Sequence, residues 1–294
     1  MHNIKFQKKL VLFSFLLVPV TLLMLFVVYP TVKLLHLSFT DWDGVSKTLA
    51  YIGTRNFKHL LFESPEVWIS LKNNWIYFYV HLLFIPVELL IAVLLDGKIR
   101  GSKFFKTVSF MPYILNGTAI AYIFSYFYSP IDGAFNAILQ HLGLGGIIQN
   151  WLSNELIVTY TLATVSLWRF AGLHIILFLA GLQSIPQEIF EAAEVDGANF
   201  WHKFWRITVP SIGTVMEIVL FMNIRGALQV FDIPFLITSG GPGYASSTFT
   251  LYTIDTAFKF NNIGLAAAMG ITLLLMIVVF SWLQQQIFKA KRYL

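Results

Sequence analysis

Hydrophobic residues are grouped into six long runs that polar segments separate. The runs cover residues 10–29, 68–95, 104–128, 156–182, 212–237 and 264–288. A helix of about 20 apolar residues is needed to cross the roughly 30 Å hydrocarbon core of a bilayer. Each run reaches that length with few charged residues, so the pattern predicts an all-α integral membrane protein with six transmembrane helices.

Short polar ends flank the six runs. The predicted division is an N-terminal tail at 1–9, one membrane domain at 10–288 and a basic tail at 289–294. Three lysines ahead of the first run are also typical of a signal peptide. That run is long, however, and ends at Tyr29 and Pro30 without a small-residue cleavage pattern. We therefore expect it to be a retained helix.

Basic residues are distributed unevenly between the polar segments. Twelve lie in the two tails and in the second and fourth loops, including Lys98, and six are spread over the other, longer loops. Lys and Arg are retained on the cytoplasmic side of membranes. Both termini and the second and fourth loops are therefore predicted to be cytoplasmic.

Composition supports a membrane protein and excludes several kinds of bond and binding site. Of the residues, 57% are hydrophobic and 12% are charged, and the formal net charge is +5. Soluble domains contain about 25% charged residues, roughly twice as many. The absence of cysteine excludes disulfides and thiolate metal sites. Because topology explains the basic residues, no nucleic-acid partner is expected.

Sequence patterns for catalysis and for metal or nucleotide binding are missing. The only Gly-Lys pair, Gly97 and Lys98, is followed by Ile99, so the chain has no phosphate-cradling loop. No two histidines fall within five residues of each other, and there is no Gly-x-Ser-x-Gly elbow. We expect no enzyme activity, no metal and no cofactor in this chain.

The most polar stretch of the second half is the loop at 184–210, between the fourth and fifth runs. Ser184 with Gln187 suits a capping box that starts a helix, and Gly197 suits its end. Asn199 suits the cap of a second short helix. The aromatic and basic residues of that helix favour anchoring at lipid headgroups. The first helix has Ala192 beside acidic residues, which favours docking against a protein.

The same loop resembles a known motif. Glu191-Ala192-Ala193, with Gly197, Ile207 and Pro210 following, is similar to the EAA motif of permease subunits of binding-protein-dependent ABC importers. Segments 178–186, 231–232 and 238–242 resemble the carbohydrate branch of that family, which takes up oligosaccharides and glycerol phosphates. The resemblance extends over nearly the whole chain from about Gly53. We call residues 184–210 the EAA loop.

The resemblance implies a division of labour among several proteins. The chain is then half of a pore formed with a second homologous permease in a bacterial plasma membrane. Two separate ATPase subunits bind ATP and Mg²⁺, and an extracytoplasmic solute-binding protein delivers the sugar. By position in the motif, the resemblance assigns the docking on the ATPase and the turn after the docking helix to five residues: Glu191, Ala192, Ala193, Asp196 and Gly197.

Charged residues at membrane depth are costly, so each is a functional candidate. They are Glu88, Arg169, Glu217, Arg225 and Asp232. Arg225, Gln229 and Asp232 recur at i, i+4 and i+7, which predicts a polar face on the fifth helix that lines a cavity. Further candidates are the amides and aromatic rings of the neighbouring runs: Asn116, Asn223, Trp168, Tyr113 and Tyr122.

Other interpretations remain open at this stage. Glu88, Arg169 and Glu217 are equally suited to pairing with one another or with the second permease, which would make them structural. An ion-coupled secondary transporter would use Glu88 or Asp232 to carry a proton or sodium. A membrane scaffold without a transport role would need no polar face on the fifth helix.

Overall fold

A computed structural model describes residues 2–97 and 100–292, without the side chains of residues 2–6 and 290–292. Helices account for the regular structure. In chain order they are α1 (His2–Leu23), α2 (Tyr29–Leu37), α3 (Arg55–Phe62), α4 (Pro65–Asp96), α5 (Ser102–Ile114), α6 (Gly117–Phe127), α7 (Ala134–His141), α8 (Val158–Leu182), α9 (Gln187–Val195), α10 (Phe200–Lys203), α11 (Val209–Ser211), α12 (Gly213–Gln229), α13 (Asp232–Thr238), α14 (Phe249–Ile254) and α15 (Ile263–Arg292).

The predicted membrane helices are confirmed by length and composition. Five segments are long and apolar enough to cross a bilayer, and α5 with α6 supplies a sixth if that bent pair is one span. The five are Gln7–Leu37, Pro65–Asp96, Val158–Leu182, Gly213–Thr238 and Ile263–Lys289. The protein is therefore an all-α membrane protein. The predicted orientation of the termini stays a prediction, and Lys98 lies outside the described residues, as do the extreme ends of both predicted tails.

The sequence predicted a single membrane helix for the third hydrophobic run, but the structure has two helices there. Helices α5 and α6 are bent by 98° at their junction. Leu115 and Asn116 adopt extended backbone conformations there, and the Asn116 side chain accepts a hydrogen bond from the Thr118 amide at 2.8 Å. Pro112 also lies inside α5. An asparagine cap after a proline ends one helix and starts another, which an uninterrupted hydropathy run conceals.

The described residues form two compact units. The first contains residues 2–64 and Thr253–Leu275. Here Asn56 donates hydrogen bonds to the carbonyls of Ser38 and Thr40 at 3.0 and 2.8 Å. A Cβ atom on Gly264 would collide with the Thr40 carbonyl, so α15 approaches the loop after α2 at backbone distance. Residues 10–29, which belong to this unit, are exposed throughout.

The second unit contains Pro65–Tyr252 and the remainder of α15. Helices α4, α8 and α12 build it around two apolar clusters. One cluster includes Leu89, Phe178 and Ile212, and the other includes Ile120 and Leu162. A Cβ atom on Gly172 would collide with the Ser109 carbonyl, so α5 also packs on α8 at backbone distance. Small residues allow such close packing between membrane helices.

The fifth span is interrupted between α12 and α13. Helix α12 ends at Gln229, Val230 and Phe231 leave the helical conformation, and α13 begins at Asp232. Arg225 and Gln229 thus belong to α12 and Asp232 to α13, so the continuous helix that the sequence predicted for these three residues is wrong. The Thr248 hydroxyl donates to the Val230 carbonyl at 2.7 Å, which satisfies one backbone group freed by the interruption.

Candidate functional site

A cavity of about 430 Å³ opens within the second unit. Helices α4, α5, α8 and α12 and the start of α13 contribute its walls. Along these helices it lies between the two apolar clusters, near the middle of the spans. Its lining residues are Tyr77, His81, Tyr113, Ser166, Phe170, Leu173, His174, Met222, Asn223, Arg225, Gly226, Ala227, Gln229, Val230, Phe231 and Asp232.

The end of α12 supplies the polar wall of the cavity. Arg225 Nε donates to Gln229 Oε1 at 3.0 Å, and both side chains are exposed. Asn223 is buried and donates to the Phe78 carbonyl at 3.3 Å. Arg225, Gln229, Asp232 and Asn223 all line the cavity, so the structure brings together four of the six predicted pathway residues.

An ion pair stands where the two helix interruptions meet. Arg169 of α8 binds the Asp232 carboxylate at the start of α13. The space beside Gly117, the first residue of α6, is occupied by these two side chains, so that a Cβ there would lie 3.1 Å from Asp232 Oδ2. The pair therefore joins α8 to both interrupted spans. It also agrees with the structural interpretation of Arg169.

Two buried histidines, which sequence reasoning did not select, also line the cavity. His81 Nε2 lies 3.0 Å from Ser166 Oγ, and His174 Nδ1 lies 2.9 Å from Glu88 Oε2. The two imidazole rings are 6.4 Å apart. These partners are 85 and 86 residues apart in the chain, so local spacing contains no signal for them. Glu88 is thus paired inside the bundle, but with His174 and not with one of the charged residues that the sequence singled out.

Aromatic rings form the remaining wall. Tyr113 and Phe170 meet edge to face with ring centroids 6.0 Å apart, and Tyr77 and Phe231 also line the space. The Arg169 guanidinium lies 5.3 Å from the Phe170 ring centroid. A cavity with aromatic faces and a few hydrogen-bonding groups has the character of a small-molecule site, and its volume lies within the usual range of about 300–1,000 Å³.

Two predicted pathway residues lie elsewhere. Asn116 caps α6, and Trp168 packs edge to face on Phe124 with ring centroids 5.2 Å apart. Neither lines the cavity, and neither does the exposed Tyr122. Glu217 also lies away from it, with its backbone carbonyl bonded to Gln284 Nε2 at 2.7 Å. A role for these residues in a substrate pathway stays a prediction.

The EAA loop forms two short helical segments joined by a sharp turn. Gly197 has φ +79°, a left-handed conformation that favours glycine, and its amide donates to the Glu194 carbonyl at 3.0 Å. Asn199 Oδ1 accepts from the His202 amide at 2.9 Å. Both predicted ends are therefore confirmed. The predicted capping box is wrong, because Ser184 Oγ donates to the Gly181 carbonyl and the cap of α9 is Pro186.

The turn is reinforced by an ion pair across it. Lys203 Nζ lies 2.6 Å from Glu194 Oε1, which lowers the pKa of the Glu194 carboxyl. On α9, Glu191 accepts from Gln187 Nε2 at 2.8 Å, and Glu191, Ala192, Asp196 and Gly197 are exposed while Ala193 is partly buried. The EAA loop thus presents a short, braced helix at one end of the second unit's apolar core.

Clusters that would bind a metal are absent from the described part of the chain, where no three His, Cys, Asp or Glu side chains converge. The groups that do converge form pairs instead, the buried pair Glu88 with His174 and the partly buried pair Arg169 with Asp232. Their arrangement suits hydrogen bonding and charge recognition. That the chain holds no cofactor remains a prediction.

Comparison with known proteins places these features in one family. Residues 85–293 match the family described as binding-protein-dependent transport system inner membrane component. The chain is 32% identical over 286 residues to the probable ABC transporter permease protein YurN of Bacillus subtilis, covering 96% of this chain and 97% of YurN. It is 31% identical over 262 residues to the arabinooligosaccharides transport system permease protein AraP of Bacillus subtilis, covering 88% of this chain and 82% of AraP.

A solved structure shares the fold. One chain of a bacterial ABC transporter involved in the import of the acidic polysaccharide alginate superposes with a TM-score of 0.84 and 23% sequence identity, covering 97% of each chain. The hydrophobic spans, the interrupted helices and the EAA loop are thus parts of a known membrane architecture. This chain belongs to the family of inner membrane components of binding-protein-dependent transport systems.

Proposed function

We propose that this chain is the permease subunit of an ABC importer that takes up a sugar or oligosaccharide. The observation that carries this proposal is the cavity of about 430 Å³ at the middle of the spans, where aromatic rings face hydrogen-bonding side chains. Stacking on a sugar ring and bonding to its hydroxyl groups need that combination. The arabinooligosaccharide permease AraP, a relative with 31% identity, supports the same substrate class.

Within the cavity, the two walls have different roles. Tyr113 and Phe170 supply ring faces and edges that exclude water from one side of the sugar. Gln229 and Asn223 supply amide groups, and His81 supplies a ring nitrogen, for hydroxyl groups on the other side. Weak, distributed contacts of this kind suit transport, because a solute that binds too tightly is not released.

A second homologous permease subunit completes the pore in this proposal, and two ATPase subunits supply the energy. The chain itself is non-catalytic, and ATP and Mg²⁺ are bound by the ATPases. An extracytoplasmic solute-binding protein delivers the sugar to the outer ends of the spans. The exposed apolar surface of residues 10–29 then faces membrane lipid and the second permease.

Coupling to ATP hydrolysis is assigned to the EAA loop. Exposed Glu191 and Ala192 are available for docking, and Val195 beside them adds an apolar side chain that is 88% exposed. The Gly197 turn and the ion pair between Glu194 and Lys203 stiffen the loop. A stiff element transmits a displacement of the ATPase to the spans without absorbing it.

Copurification and uptake test the proposal together. The tagged chain is purified from its native membrane in mild detergent, copurifying proteins are identified, and the complex is reconstituted for ATP-driven sugar uptake. We expect an ATPase, a second permease and a binding protein. Glu191→Lys should release the ATPase or abolish sugar-stimulated hydrolysis, because it reverses a charge on the docking helix.

Gln229→Leu is the matched control, since it alters the cavity and leaves the EAA loop intact. It should reduce uptake while the ATPase stays bound. Recovery of the chain alone, with uptake that depends on an ion gradient, would instead indicate a secondary transporter and direct attention to Glu88 and Asp232. Unchanged ATPase binding and uptake in Glu191→Lys would show that the coupling assignment is incorrect.

A further inference from the structure

The cavity is lined by one carboxylate, Asp232, and one guanidinium, Arg225. Asp232 is paired with Arg169, and Glu88 lies 2.9 Å from His174. Arg225 forms no salt bridge with any residue that the structure describes. Its hydrogen bond goes to the amide oxygen of Gln229, which carries no charge. The cavity wall therefore has one uncompensated positive charge.

No other carboxylate of the fifth span is placed to neutralise Arg225. Glu217 is eight positions earlier on α12, which at 1.5 Å per residue is about 12 Å along the helix. Asp232 is already bonded to Arg169 and to the Ile233 amide. A guanidinium at membrane depth is costly to keep without a partner. The site is therefore suited to a partner that arrives from outside the chain.

The geometry of Arg225 leaves its terminal amino groups available. Gln229 is bonded to Nε, at the side of the guanidinium, at 3.0 Å. This bond restrains the side chain, as a helical i, i+4 pair does. The two terminal amino groups remain for an end-on, two-point contact with a carboxylate or phosphate, the geometry that makes arginine effective in anion recognition.

Resting on the proposed function, we propose that the imported saccharide is anionic and that Arg225 binds its carboxylate or phosphate. The substrate class is thus an acidic or phosphorylated sugar. Gln229 is a positioning residue that orients the guanidinium. The aromatic wall, with Tyr113 and Phe170, holds the uncharged part of the sugar, and the ion pair of Asp232 with Arg169 prevents that carboxylate from repelling the anion.

The test uses the complete transporter with its binding protein, reconstituted in proteoliposomes. ATP-driven uptake of digalacturonate and glycerol 3-phosphate is compared with uptake of maltotriose and arabinotriose, at saturating binding protein. We expect uptake of at least one anionic probe. Arg225→Gln should reduce it about tenfold or more, the effect of losing charge-assisted hydrogen bonds. Arg225→Lys should retain part of the activity, because it keeps the charge without the fork.

Arg55→Gln, at an exposed position of α3 that does not line the cavity, is the matched control and should be unchanged. Uptake of a neutral sugar alone, or uptake of an anion that Arg225→Gln leaves intact, would overturn the proposal while the proposed function stands. If the second permease no longer copurified with the Arg225→Gln variant, and uptake fell equally for every probe, Arg225 would be shown to pair with that subunit instead. Failure to import any saccharide would count against the proposed function itself.

Discussion

Asn74 is the residue on which the interruption of the fifth span depends most. Its Nδ2 donates to the Ala227 and Leu228 carbonyls at 2.5 and 3.2 Å, and its Oδ1 accepts from the Phe249 amide at 2.8 Å. The last carbonyls of a helix have no partner within the helix. Asn74 is 1% exposed, so water does not replace it. We predict that Asn74→Leu, which keeps the branched heavy-atom skeleton but forms no hydrogen bonds, destabilises the protein.

The size of this destabilisation follows from the hydrogen bonds that the Asn74 amide makes. The leucine side chain can form none of the three. At about 1 kcal/mol each, their removal lowers the free energy of unfolding by about 3 kcal/mol. At roughly 2–4 °C per kcal/mol for a large domain, Tm should fall by roughly 6–12 °C.

Thermal unfolding in lipid nanodiscs, followed by tryptophan fluorescence, measures this change. Asn150→Leu is the matched control, because Asn150 is exposed in the loop before α8. Sugar uptake should fall as well, since the end of α12 that Asn74 holds contributes Arg225 and Gln229 to the cavity. A Tm for Asn74→Leu equal to that of the control would refute the reasoning and show that the interruption is held by backbone packing instead.

Two further predictions concern close packing and the EAA loop. Gly172→Ala should lower Tm or the yield of folded protein, because its Cβ would collide with the Ser109 carbonyl. Overpacking of this kind typically costs about 1–3 kcal/mol. Gly213→Ala is the control and should be neutral, because a Cβ there meets open space. Lys203 lowers the pKa of the Glu194 carboxyl. Their ion pair therefore stabilises the turn fully at pH values above the ordinary carboxyl pKa of about 4.3, and this stabilisation is lost as the pH falls through the lowered pKa. Amide hydrogen exchange of α9 and α10, corrected for its intrinsic pH dependence, should show less protection in acid. Glu194→Gln should abolish this pH effect. An unchanged pH effect in that variant would contradict the role of the Glu194–Lys203 ion pair.

The number and approximate positions of the spans could be predicted from hydropathy, because a bilayer imposes a minimum length on every apolar helix that crosses it. The ends of the EAA loop helices were also predictable, since Gly197 and Asn199 have strong local preferences. Breaks within the spans were only partly predictable. Pro234 lies four residues after Val230 and removes its helical hydrogen bond, but the sequence does not show that Thr248 satisfies the Val230 carbonyl.

Pairing inside the cavity was beyond sequence reasoning for a similar reason. His81 with Ser166, and Glu88 with His174, join α4 to α8, and their contacts depend on how the two helices are rotated against each other. The residues Arg225, Gln229 and Asp232 were identified correctly as neighbours of one cavity, but on a mistaken continuous helix. Asp232 additionally binds Arg169 of α8, a contact that the spacing on the fifth span does not reveal.

The bend between α5 and α6 bears on how the protein is made. At 1.5 Å per residue, the 13 residues of α5 and the 11 residues of α6 extend about 20 and 17 Å, so neither crosses a bilayer core of roughly 30 Å alone. The extended backbone at Leu115 and Asn116 is tolerated at that depth only when protein surrounds it. Part of that surrounding is α8, since the Arg169 guanidinium lies beside Gly117, the residue that follows Asn116, and α8 is synthesised later. We therefore expect this segment to settle into the bilayer only after α8 has emerged from the ribosome.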